Sequence, residues 1–147
     1  MQDVFQGLEN VTELIKIFRD ALPDVLATTD VKIIDDPELY MYIDDADGSI
    51  VIGLEHLQSG DAKTLYLDII HELVHIKQHN EGQELFDEKH EYIGRPTEIE
   101  AYTVTVREAK RIGMSTGEIL DYLYVEWITN NDVLLLAKNI GLEVDNG

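Results

Sequence analysis

One stretch constrains this chain more than any other: the helix-period segment over about residues 61–79, "DAKTLYLDIIHELVHIKQH". A helix turns about 100° per residue, so each side chain can be given a direction. Leu65, Tyr66, Leu67, Ile69, Ile70, Leu73, Val74 and Ile76 fill roughly 200° of the circumference, interrupted by Lys77. Asp61, Thr64, Asp68, His71, Glu72, His75, Gln78 and His79 fall within roughly 120° of one another. A helix apolar over so much of its surface must be mostly buried. Its polar stripe then faces a thin band of solvent or the wall of a cleft.

The stripe carries chemistry. "HELVH" (71–75) is the H-E-x-x-H pattern. Histidines at i and i+4 sit one turn apart on one face and can both reach a single Zn²⁺ at about 2.1 Å. Glu72 lies beside them, placed to take a proton from a water at the metal rather than to act as an obvious ligand. His79 continues the stripe a turn further on and reads as an exposed or supporting residue.

Two histidines do not hold a catalytic zinc; a third protein ligand is expected. No histidine has the downstream spacing of a three-histidine site, so a carboxylate is required. "PTEIEAYTVTVREAKR" offers Glu98 and Glu100. Glu98 shares its helix face with Ala101, Tyr102, Thr105, Val106 and Ala109, a small, weakly polar surface suited to close packing. Glu100 points the other way with Thr103, Arg107 and Arg111, a solvated charged face. A carboxylate buried without a cation is costly, and a metal would remove that cost. Glu98 is therefore assigned as the third ligand.

The rest of the chain reads as one α+β domain over residues 1–147. Val4, Phe5, Leu8, Val11, Leu14, Ile15 and Phe18 have helical spacing over 3–20, a helix expected to end by Pro23. "VKIID" (31–35) reads as a strand, and "DADG" as the turn of a β-hairpin over 38–54. Residues 80–95 read as a loop. Pro96 opens the next helix and Gly113 ends it. Ser115 and Glu118 form a capping-box pattern before "ILDYLYVEWI". A last helix runs over about 131–140. The expected order is helix, small three-stranded antiparallel sheet, then four helices.

Composition removes several functions. Thirty acidic against eleven basic residues give a net charge of −19. Such a surface repels phosphate backbones and anionic membranes, so neither nucleic acid nor membrane is an expected partner. The absence of cysteine excludes disulfides, thiolate metal ligands and a cysteine nucleophile. No basic region followed by an apolar stretch opens the chain, so an intracellular, cytoplasmic setting is the expectation.

H-E-x-x-H in one helix, followed some 20 residues later by a glutamate in a second, resembles the gluzincin metallopeptidases. "EIEAY" is similar to the E-x-x-A-D form of their second motif, and the small size and element order resemble the compact minigluzincins. The specific part of the likeness covers residues 68–106. It implies a zincin-like fold and a zinc endopeptidase acting on peptides or unfolded protein segments. His71 and His75 would be ligands, Glu72 the catalytic base and Glu98 the third ligand. Tyr102 stands where many gluzincins have an aspartate that orients a histidine, so Tyr102 and Asp68 are both candidates for that task. His90 and Tyr92, between the two metal-bearing helices, are candidate oxyanion donors. In this resemblance "SIVIGL" looks like the edge strand along which a peptide lies, while its weak alternation also fits an inner strand. Latency is also implied, through a homodimer contact or through the acidic tail "GLEVDNG" closing the site. The competing reading is a non-catalytic or regulatory metal-binding domain acting through protein–protein contacts.

Overall fold

The computed structural model describes residues 5, 7–85, 95–123, 136–138 and 140. The chain is α+β, and its contacts gather into two compact units, residues 1–85 and 86–147.

The first unit opens with a short 3-10 turn, Leu8–Asn10, and helix α1, Thr12–Phe18. Leu8, Val11, Leu14 and Phe18 are buried, as the expected apolar stripe requires, but Ile15, counted on that stripe, is 45% exposed. The helix does not run on to Pro23. Arg19 has φ 51°, and a second 3-10 turn, Arg19–Ala21, leads into helix α2, Leu22–Thr28. Pro23 falls in the first turn of α2, where its missing N–H has no intrahelical partner to lose. It starts a helix here rather than stopping one.

Strands β1 (Val31–Ile34), β2 (Met41–Asp44) and β3 (Ser49–Gly53) form the sheet in the order β1-β3-β2. The hairpin is as expected: β2 and β3 pair antiparallel with Asp44 opposite Ser49, and Gly48 N–H donates to Asp44 O at 2.7 Å across the turn. Two expectations fail. β1 pairs with β3 in parallel, so the sheet is mixed. β3 is the central strand, buried along its whole length, so "SIVIGL" is not an edge. Its near-continuous apolar run (Ile50, Val51, Ile52) is the pattern of a strand covered on both faces. The edges are β1 and β2.

Gly53, the last residue of β3, is required by close approach rather than by φ. A Cβ there would lie 1.9 Å from the Leu39 carbonyl oxygen, while its N–H donates to Tyr40 O at 2.9 Å. On the hairpin turn, the Lys32 ammonium lies 2.6 Å from Asp47 Oδ2, and Ser49 donates to Asp47 Oδ1 from N and Oγ. These contacts hold the Asp47 carboxyl well below the usual carboxylate range, Lys32 contributing most.

A short helix, α3 (Leu54–Ser59), leads into α4 (Ala62–Asn80), which packs on α1 and β2. The Asp61 side chain caps α4 by accepting from Thr64 N at 3.1 Å. Leu67, Ile69, Ile70, Leu73 and Val74 are fully buried. Each contributes about 1.5–3 kcal/mol of apolar burial, which is what anchors the polar stripe of the same helix.

In the second unit, helix α5 (Pro96–Arg111) begins with Pro96 in its first turn. It ends in a Schellman arrangement: Gly113 has φ 90°, its N–H donates to Lys110 O at 3.1 Å, and Met114 N–H donates to Ala109 O at 3.0 Å. Helix α6 (Thr116–Leu123) follows the expected capping box. Ser115 N–H donates to Glu118 Oε1 and Glu118 N–H to Ser115 Oγ, both at 3.1 Å. Residues 136–138 are helical, within the segment expected as the last helix; the remainder of that segment lies outside the described residues. Among the described residues no helix is long and apolar enough to cross a membrane.

Candidate metal centre

Helix α4 buries part of its polar stripe along with its apolar face. His71 and His75 retain only 7% and 6% of their exposure, Glu72 9% and Gln78 none. Polar groups in such surroundings must find partners, because stripping water from them costs several kcal/mol otherwise. One turn of helix separates the two imidazoles and brings their Nε2 atoms to 3.2 Å, with the rings edge to face at 83°. Two nitrogens bound to one tetrahedral ion at ~2.0–2.1 Å stand about 3.3–3.4 Å apart. The pair already has the spacing of two ligands.

Helix α5 separates its two glutamates as its faces predict. Glu98 is buried at 5% exposure, together with Ala101, Tyr102, Thr105, Val106 and Ala109. Glu100, Arg107 and Arg111 are exposed. A ligand atom from each of His71, His75 and Glu98 lies within 4.8 Å of the others, and this buried group could bind a metal ion. Two imidazoles and a carboxylate suit a borderline ion such as Zn²⁺, and three protein ligands leave a coordination position open. Glu72 is buried on the same helix, next to the first histidine, and is not one of the three.

The neighbouring candidates divide. His79 is only partly buried; its Nδ1–H donates to Asp45 Oδ1 at 3.0 Å, tying the end of α4 to the hairpin turn. Asp68, a candidate partner for a ligand histidine, accepts from His56 Nε2 of α3 at 3.0 Å. Tyr102 is buried at 5% exposure. His90 and Tyr92, the expected oxyanion donors, and the tail 141–147, the expected plug, lie outside the described residues.

One residue of the site was not singled out in the sequence. Gln78 Oε1 lies 2.7 Å from His75 Nδ1, the ring nitrogen away from His71. The signal was present: an amide three positions after the histidine, on the same face of the helix, is within reach of its ring. Glu108 was also unforeseen. It is fully buried on α5, and the Arg111 guanidinium meets its carboxylate through Nε and Nη2 at 2.6–3.0 Å.

Compared with known proteins, the chain matches no family model, no curated protein sequence and no solved structure.

Proposed function

We propose that the chain is a zinc metallopeptidase of the gluzincin type, with His71, His75 and Glu98 as metal ligands and Glu72 as general base. The observation that carries this reading is the convergence of two buried imidazoles and a buried carboxylate to within 4.8 Å, with a second buried glutamate directly beside the first histidine. A purely structural zinc site has four protein ligands and no use for a further carboxylate, which favours a catalytic site.

His71, His75 and Glu98 would hold the ion, which would supply Lewis acidity to a water and to a peptide carbonyl. Glu72 would take a proton from the attacking water and pass it to the leaving amine nitrogen as the C–N bond breaks. His75 is held from behind by Gln78. An extended peptide would pair with β2 rather than β3, because β3 is bonded on both sides while β2 is a sheet edge that packs on α4. The half-exposed rings of Tyr40 and Tyr42 on and beside that strand offer apolar surface to such a peptide.

The test is zinc stoichiometry together with cleavage of an unstructured protein by wild type and Glu72→Ala. The expected result is about one zinc per chain in both, with the variant's cleavage lower by about 10²–10⁴-fold. Equal cleavage by the two proteins refutes the assigned base. Zinc in both and cleavage by neither favours the regulatory metal-binding reading instead.

A further inference from the structure

A neutral imidazole carries one N–H, and the nitrogen that holds it cannot coordinate a cation. In His75 the proton is positioned by Gln78. Both side chains are buried, and Gln78 Oε1 lies 2.7 Å from His75 Nδ1. An amide oxygen only accepts, so Nδ1 must be the protonated nitrogen and Nε2 keeps its lone pair. That lone pair faces His71 Nε2 at 3.2 Å. A hydrogen bond across that contact needs its donor on His71 Nε2.

We propose that Gln78 is a positioning residue that locks His75 in the Nδ1–H tautomer. It makes His75 the ligand already in its coordinating form in the metal-free chain, with His71 as the hydrogen-bond donor to it. The two histidines of the motif are therefore unequal before any metal arrives. The purpose of this lock rests on the metal-centre reading; the tautomer itself is a property of the metal-free protein. Outer partners of this kind typically change metal affinity by about 10–100-fold.

The experiment is a long-range ¹H–¹⁵N correlation of the imidazoles in the full-length, metal-free chain at mildly alkaline pH. The expected spectrum shows His75 protonated at Nδ1 and His71 at Nε2. In Gln78→Leu, His75 moves towards the Nε2–H tautomer, and the zinc dissociation constant, read by competition with a chromophoric chelator, rises by about 10–100-fold. Gln78→Glu keeps an acceptor and stays close to wild type in both readouts. A wild-type His75 protonated at Nε2 would overturn the proposal without any variant. So would a Gln78→Leu protein that loses stability but keeps both tautomer and zinc affinity, since that is what a merely structural role predicts. If wild type binds no zinc, the metal-centre reading falls, while the spectrum still decides the role of Gln78.

Discussion

Removing the Glu98 carboxylate is the sharpest test of the metal centre, because zinc binding and folding stability are linked. A ligand that binds only the folded chain stabilises it by RT ln(1 + [L]/Kd), about 4.1 kcal/mol at a free concentration 1,000 times Kd. Loss of an outer partner weakens a metal site by up to about 100-fold, and a direct ligand is worth at least that. At the same free zinc, a hundredfold weaker Glu98→Ala site stands at about ten times Kd and gains about 1.4 kcal/mol. The difference is about 2.7 kcal/mol. At about 2–4 °C per kcal/mol for a chain of this size, Glu98→Ala should lose roughly 5–11 °C of the zinc-induced rise in Tm. The assay is thermal unfolding of each protein in buffered zinc and in chelator. Comparing each variant with itself cancels whatever the substitution does to the metal-free fold. Glu100→Ala, on the exposed face of the same helix, should keep the full rise. A full zinc response in Glu98→Ala, or its loss in Glu100→Ala, would refute the assignment.

Two glycines should respond in an order that φ alone would not suggest. Gly53→Ala meets the Leu39 carbonyl and should cost about 3 kcal/mol or more, whereas Gly113→Ala strains φ in open space and should cost about 1–2 kcal/mol; urea denaturation ranks them. Ser115→Ala removes one half of the capping box and should cost about 1 kcal/mol in the same assay, with Glu118→Ala less than additive to it. The Asp47 carboxyl is depressed in the folded chain, so its contribution to stability is present above its unfolded pKa and lost as pH falls through the folded one. Lys32→Met should move its carboxyl titration, followed by ¹³C NMR, up towards the ordinary range, and added salt should do the same in wild type.

Local signals were legible wherever a few neighbouring residues settle the outcome. The signals at Ser115 and Gly113 both form their caps, because a cap needs only its own first or last turn. The burial of Glu98 and exposure of Glu100 follow from the 100° step of a helix. The sequence misled where a residue has two uses. Pro23 can end a helix or begin one, and only the positive φ at Arg19 shows that the chain had already broken and restarted. Strand order was likewise illegible. An apolar run such as "SIVIGL" fits an edge or a centre, and β3 became central because β1 pairs alongside it in parallel, with β2 lying between the two in sequence.

By itself the sequence determined that one helix must be mostly buried, and that two histidines and a glutamate share its narrow polar stripe. Helical periodicity is rigid enough to dictate both. Only the tertiary structure decided that the Nε2 atoms of those histidines face each other at 3.2 Å, that a glutamate 23 residues after the second joins them, and that β2 is a sheet edge beside the helix. Those outcomes depend on rotamers, strand pairing and contacts between residues far apart in the chain, which no local period encodes.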